Sequence, residues 1–244
     1  MKVNIICIKW GTKFGPEYVN RLHSMVKRNI TRDYRFICLT DRPEGIETGI
    51  DVRDIPLTGI QAFDEREAWV YTHGWLKVST FVKTLHDIKG PTLFLDLDVV
   101  IVDKIDEFFD VPGEFVVIRK WTDKIITGNT SVYRFNAGAH ADALDYLKNN
   151  LQKVLSEVRN EQEFITHYLH KQGKLNYWPL AWCRSFKRHC LPKPLGWFGP
   201  AKVPEGAKII IFHGKPNPED VINGKSGKFF RRVVPVQWVS EHWR

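Results

Sequence analysis

The chain has 244 residues, with 36 Lys and Arg against 28 Asp and Glu, giving a net charge of +8. Its 43% apolar and 26% charged residues exclude a disordered or membrane-embedded chain, and the length suits one domain. The positive surplus points to polyanionic company: nucleic acid, an anionic membrane face or phosphorylated small molecules.

The first residues carry only a short apolar run, with no small-residue cleavage site after it, so they do not read as a secretory signal. No stretch approaches the ~20 apolar residues of a spanning helix. Cys7 and Cys38 lie in apolar runs and read as buried strand residues, while Cys183 and Cys190 lack zinc-site spacing. The expectation is a cytoplasmic protein with free thiols.

Val3–Lys9 is β-rich and runs into a glycine-bearing turn, Trp10 to Gly15. Pro16 opens a helix in which Tyr18, Leu22, Met25 and Val26 recur at helical spacing as far as Asn29. Arg35–Thr40 is a second strand, and this β–α–β opening predicts a parallel sheet. Residues 46–74 are poorly periodic and read as loop. Leu76–Leu85 reads as a helix, and Thr92–Val102 is almost continuously apolar apart from Asp96 and Asp98. Phe115–Ile118 and Ser131–Phe135 read as strands, Ala139–Val158 and Gln162–His170 as helices, and Lys208–Phe212 as a last strand ending at His213-Gly214-Lys215-Pro216. The predicted organisation is one α/β domain over 1–218 and a basic-aromatic tail over 219–244. That tail interleaves Lys228, Arg231, Arg232 and Arg244 with Phe229, Phe230, Trp238 and Trp243.

Asp96 and Asp98 are the most informative residues. At i and i+2 they share one face of a regular strand, and two carboxylates in an apolar run need compensation. A hard divalent cation with oxygen ligands supplies it, at the strand end where open α/β sheets bind ligands. The alternative is that Asp98 caps a turn and Asp96 pairs with an arginine. A haloacid-dehalogenase-type phosphatase also places D-x-D after an apolar strand, but Val99-Val100 stand where that motif needs Gly-Thr.

The segments 10–29, FICLTD (36–41), GWLKVSTF (74–81), FLDLDVVI (94–101), GNTSVYRF (128–135), NEQEF (160–164) and IIFHGKPNP (210–218) resemble, in order, those of glycosyltransferase family 8 and its bacterial relatives. The resemblance implies the GT-A fold, a Rossmann-like mixed, mainly parallel sheet flanked by helices. It implies transfer of a hexose from a nucleotide sugar, a UDP-sugar above all, to a glycan or lipid-linked acceptor, with retention. Asp96, Asp98 and His213 would hold Mn²⁺ or Mg²⁺. Gly11, Thr12, Lys13 and Phe14 would line the nucleoside pocket, with Phe14 stacking on the base. Lys77, Leu97, Gly214 and Lys215 would lie along the diphosphate, though H-G-K-P is compressed relative to the family's H-x-x-G-x-x-K-P. Asn129, Thr130 and Ser131 would read donor hydroxyls. Glu161 would bind the sugar and Gln162 would face the anomeric carbon.

Trp178, Trp182 and Lys187 could line the acceptor site, against core packing for the two tryptophans. Asp41 reads as a turn cap or a ribose ligand, with the cap favoured. Two other activities compete with this reading. A sugar-phosphate nucleotidyltransferase normally has a Gly-rich, Arg/Lys-bearing loop after its first strand, and Trp10–Gly15 holds one lysine and no arginine. A basic nucleic-acid-binding protein would explain the charge, but no nucleic-acid motif is present, so no nucleic-acid partner is expected. The tail's composition is compatible with resting on the inner, anionic face of a membrane or with folding back on the domain.

Overall fold

The computed structural model describes residues 2–72, 74–121, 128–192, 199–225 and 234–244. Along the chain run β1 (Val3–Lys9), α1 (Pro16–Asn29), β2 (Tyr34–Thr40), β3 (Asp51–Arg53), α2 (Gln61–Asp64), α3 (Ala68–Thr72), β4 (Pro91–Leu95), β5 (Val99–Ile101), β6 (Phe115–Arg119) and β7 (Gly128–Asn136). Then follow α4 (Ala141–Asn149), α5 (Leu151–Glu157), α6 (Glu161–Lys171), β8 (Leu175–Tyr177), β9 (Cys183–Ser185), β10 (Ile209–Ile211), α7 (Pro218–Ile222) and α8 (Gln237–His242).

Seven strands form one sheet in the order β3-β2-β1-β4-β7-β6-β8. Its β3-β2-β1-β4 half is parallel, β7 runs antiparallel to β4 and β6, and β8 is parallel to β6. The expected mixed, mainly parallel sheet is present. All seven residues of β1 are buried because both faces are covered. Val3, Ile5 and Cys7 face one core with α1. Ile6 and Ile8 face the other, with α4 and α6. A small second sheet, β5-β10-β9, closes over the α1 side.

Four expectations change in the structure. Thr92–Val102 is not one strand: β4 stops at Leu95, and β5 belongs to the second sheet. The segment expected as a helix over Leu76–Leu85 is a 3₁₀ turn, Trp75–Phe81, with every side chain buried. Its hydroxyls take over carbonyls from the backbone, Ser79 Oγ donating to the Leu76 carbonyl at 2.7 Å and Thr80 Oγ1 to that of Lys77 at 2.8 Å. The long helix over Ala139–Val158 divides into α4 and α5 at Asn150, whose side-chain amide donates to the Tyr146 carbonyl. The loop-like 46–74 stretch holds the short β3, α2 and α3.

The described part of the tail packs back onto the domain. Val221, Val236, Val239 and Trp243 belong to the same core as α1 and β1. The Trp243 ring meets Tyr18 edge-on at 5.2 Å and lies 4.0 Å under the Arg21 guanidinium. Trp238 donates from Nε1 to the Ala201 carbonyl at 3.0 Å. Trp243 is 4% exposed, so this half of the expected membrane-facing pattern is spent on the interior. Lys228, Phe229, Phe230, Arg231 and Arg232 lie outside the described residues. No helix is long and apolar enough to cross a membrane, among the described residues.

His140 is buried between Phe81 and Phe115, with ring centroids at 6.0 and 5.7 Å. Burial pushes its pKa below the ordinary 6.5. The unfolded chain therefore binds a proton that the folded chain refuses. The associated stability is complete above about pH 6.5 and is lost as the pH falls. His140→Phe is expected to narrow the gap between urea-melt stabilities at pH 7.5 and 5.5.

Candidate active site

β1 is joined in sequence to β2 on one side, and the chain returns to β4 on its other side. This reversal opens a crevice at the carboxyl ends of β1 and β4, the place where open α/β sheets bind ligands. The loop after β1 and the Asp96-Leu97-Asp98 turn after β4 both enter it. They enclose a cavity of about 730 Å³ lined by Ile8, Trp10, Gly11, Thr12, Lys13, Phe14, Gly74, Lys77, Asp96, Leu97 and Asp98. Gly11 through Phe14, Lys77 and the Asp96–Asp98 turn thus line one cavity. Ile8, Trp10 and Gly74 are additions. Trp10 and Gly74 open two of the segments that carry the resemblance, and Ile8 is the penultimate residue of β1.

The loop after β1 is held from outside. Gly11 sits at φ +56°, and its N–H donates to both carboxylate oxygens of Asp41, at 3.1 and 3.3 Å. Arg66 closes on the same carboxylate at 3.0 Å. Asp41 is therefore a cap, as favoured, but for the β1 loop rather than for its own turn. Lys13 Nζ lies 4.8 Å from the Phe14 ring centroid, and Phe14 packs on Tyr18 at 4.5 Å.

The last link of the β4–β7 ladder is the Asp96 N–H donating to the Ser131 carbonyl at 2.9 Å. Beyond it the chain turns. Leu97 is 5% exposed and anchors the turn in the core, leaving Asp96 and Asp98 half-buried beside the cavity. Burial, then the neighbouring Asp96 charge, pushes the Asp98 carboxyl up to about 7. The Phe212 N–H donates to the Asp98 carbonyl at 3.3 Å, which brings the start of the His213 segment against the motif.

A second group of residues lies behind the motif. β7 carries a bulge: Val117 pairs with Tyr133 but Ile118 pairs with Asn129, so residues 130–132 bow out of the β6 ladder. The bow presents Thr130 to Lys77 and Glu161. Lys77 Nζ lies 2.8 Å from Asp96 Oδ1 and 3.6 Å from Glu161 Oε1, and it donates to the Thr130 carbonyl at 3.2 Å. Thr130 Oγ1 donates to Glu161 Oε1 at 2.9 Å. Burial opposes the Lys77 charge, but Asp96 and Glu161 outweigh it and hold its pKa above the ordinary value. Burial also raises the Glu161 carboxyl. Asn129 is occupied locally, its Oδ1 accepting the Ser131 N–H at 3.1 Å. Gln162 is half-buried on the first turn of α6, which Asn160 caps.

Gly74 connects the two groups. It sits at φ +73°, and a Cβ there would come within 2.9 Å of Glu161 Oε2. Gly74→Ala is expected to cost about 1–2 kcal/mol from the left-handed backbone alone, read as a lower urea midpoint at unchanged slope.

Other expected residues are not gathered at the cavity. His213 Nε2 is 2.7 Å from Ser185 Oγ, and its ring stacks with Trp121 at 5.8 Å. Burial and the charges of Lys187, Arg188 and His189 lower its pKa to about 4, leaving the imidazole neutral at pH 7. Among the described residues no three His, Cys, Asp and Glu side chains are grouped closely enough to hold a metal ion, so His213 is not assembled with Asp96 and Asp98. Gly214 sits at φ +63°, with Lys187 Nζ 3.6 Å from where its Cβ would be. Lys215 reaches instead to Asp220 at 3.2 Å, in the capping box of α7.

Of the two tryptophans weighed between an acceptor site and the core, Trp178 is a core residue and Trp182 is half-buried against that core. Trp178 is 3% exposed, packs edge-on to Phe108 at 4.7 Å and donates from Nε1 to the Val132 carbonyl at 3.2 Å. Trp182 lies against Phe108 at 5.0 Å under Lys208. A large buried ring with its N–H satisfied gains more from the interior than from a surface.

No protein-family model matches the chain, and no curated protein does. Solved structures do. The galactosyltransferase LgtC, solved with donor and acceptor sugar analogues, matches with a TM-score of 0.56 at 15% identity, over 88% of this chain and 89% of that one. The chain has the GT-A fold. Mouse xyloside xylosyltransferase 1 matches at 0.53 and 13% identity, over 88% and 98%. The glycosyltransferase GlyE of Streptococcus pneumoniae TIGR4 in its apo form matches at 0.58 and 11% identity, over 89% of this chain but 56% of GlyE.

Proposed function

We propose that this GT-A protein is a metal-dependent glycosyltransferase that moves a hexose from a nucleotide-sugar donor, a UDP-sugar above all, to a glycan or lipid-linked acceptor with retention. The observation that carries this reading is the meeting of the Gly11–Phe14 loop and the Asp96–Asp98 turn around one cavity at the switch point of the sheet. About 730 Å³ is within the range of pockets that enclose a small organic ligand.

The residues fit a divalent cation. Asp96 and Asp98 are two hard oxygen donors side by side, and burial together with the neighbouring Asp96 charge raises the Asp98 pKa, a cost that a cation there would relieve. When bound there, Mn²⁺ or Mg²⁺ supplies Lewis acidity for the diphosphate leaving group. His213, one residue beyond the Phe212 link to Asp98, would be the third ligand, as the family resemblance implies.

The chain's own residues do the rest. The Gly11–Phe14 loop receives the nucleoside, with the Phe14 ring offered to the base. Lys13 and the Gly214 backbone lie toward the diphosphate. The bowed Asn129–Ser131 segment and Glu161 form the sugar side, where a carboxylate accepts from donor hydroxyls. Gln162 faces the anomeric carbon. Lys187, adjacent to Gly214, belongs to the acceptor or diphosphate side.

A thermal-shift panel of nucleotides and nucleotide sugars with Mn²⁺ tests this reading. At about 100 times Kd a ligand adds ~2.7 kcal/mol, so the matching UDP-sugar is expected to raise Tm by about 5–10 °C. A flat panel across uridine nucleotides removes the proposal.

A further inference from the structure

We propose that Lys77 is a positioning residue that locks the metal-side carboxylate Asp96 to the sugar-side carboxylate Glu161, and is not a ligand of the donor diphosphate. The proposal rests on the glycosyltransferase reading for the roles of those two carboxylates, and it departs from the family resemblance, which sets Lys77 along the phosphates.

A lysine ammonium has three donors and no acceptor. Here Nζ stands 2.8 and 2.9 Å from the two oxygens of Asp96, 3.2 Å from the Thr130 carbonyl and 3.6 Å from Glu161 Oε1. The Phe94 ring centroid lies 5.4 Å away on a further side. Lys77 touches the cavity wall, but the residue is 6% exposed. Its three donors are accounted for inside the protein.

Thr130 closes the circuit. Its carbonyl accepts from Lys77, and its hydroxyl donates to the same Glu161 oxygen that faces the ammonium. One cation thus joins the 3₁₀ turn, the end of β4, the bow of β7 and the first turn of α6. Turning the ammonium to a phosphate would leave the half-buried Asp96 and the buried Glu161 without their partner, the costly half of breaking a buried ion pair. Held in place, it sets the spacing between the group that meets the metal and the group that meets the sugar. Loss of Lys77 should therefore spoil the alignment for transfer and spare the grip on the β-phosphate.

The test compares wild type with Lys77→Met in three measurements. UDP and UMP are titrated calorimetrically at saturating Mn²⁺, and the UDP-over-UMP preference is expected within about threefold of wild type. A selective loss of UDP of about tenfold or more, the mark of a lost charged phosphate contact, overturns the proposal. For the UDP-sugar that the wild type turns over, kcat is expected to fall about a hundredfold with donor KM within about threefold, the pattern of misalignment. A raised KM at unchanged kcat overturns it. The third measurement needs no nucleotide. Tm is expected to drop in Lys77→Met and to recover substantially in Lys77→Met/Glu161→Gln, which removes the stranded carboxylate, whereas additive losses overturn the clamp. A wild type that binds neither nucleotide defeats the glycosyltransferase reading, and the melting cycle still decides the role of Lys77.

Discussion

Asp98→Asn is expected to lower turnover of a UDP-sugar by about 10²–10³-fold or more, the scale set by removing one group that stabilises charge in a transition state. The fold is expected to survive the change. Above its ordinary pKa of 3.8, the Asp98 carboxyl is held near 7 by burial and by Asp96, so its ionisation opposes folding of the metal-free chain. Asparagine removes that ionisation, and the variant melts no lower than wild type at pH 8 without metal. Steady-state rates with Mn²⁺ and a metal-free melt check the two halves. Activity near the wild-type level would remove Asp98 from the mechanism, and a collapse of Tm would assign it to the fold.

The second large effect is on the metal. Between pH 3.8 and about 7 the folded chain retains a proton on Asp98 that the unfolded chain has released, so the metal-free protein loses stability as the pH rises through that window. A divalent cation requires the carboxylate and displaces the proton. Mn²⁺ affinity accordingly rises about tenfold per pH unit below about 7 and levels off above it, a change on the order of a hundredfold between pH 5 and 7. Titration followed by the electron paramagnetic resonance of free Mn²⁺ at several pH values reads this directly. His213 adds nothing in that window, since its imidazole is neutral down to about pH 4. An affinity independent of pH from 5 to 7 contradicts the assignment.

Much of the site could be read along the chain because its chemistry is local. Two carboxylates spaced i, i+2 in an apolar run, and a glycine-bearing turn after a buried strand, announce themselves without tertiary context. The clamp was less legible. Lys77, Thr130 and Glu161 were each picked out, but their mutual engagement depends on a β7 bulge opposite Ile118 that no local pattern encodes. Trp178 and Trp182 left two readings open. Tryptophan serves both in sugar stacking and, more commonly, in cores, and the Val132 carbonyl that accepts the Trp178 N–H decides for the core at Trp178. The 3₁₀ turn at Trp75–Phe81 escaped because side-chain hydroxyls of Ser79 and Thr80 replace part of the helical bonding. The tail's basic-aromatic pattern fitted a membrane surface and a return onto the domain equally, and for Trp243 the return holds, with α1 supplying Tyr18 and Arg21 to receive it.

The Asp41 carboxylate has a consequence for how tightly the cavity can fill. By holding the Gly11 amide and Arg66 together, it commits the loop after β1 to one shape during folding. A nucleotide arriving there meets a wall already built, so less of its contact energy is consumed in ordering backbone. Under the proposed function, binding there would need little ordering of the chain at Gly11.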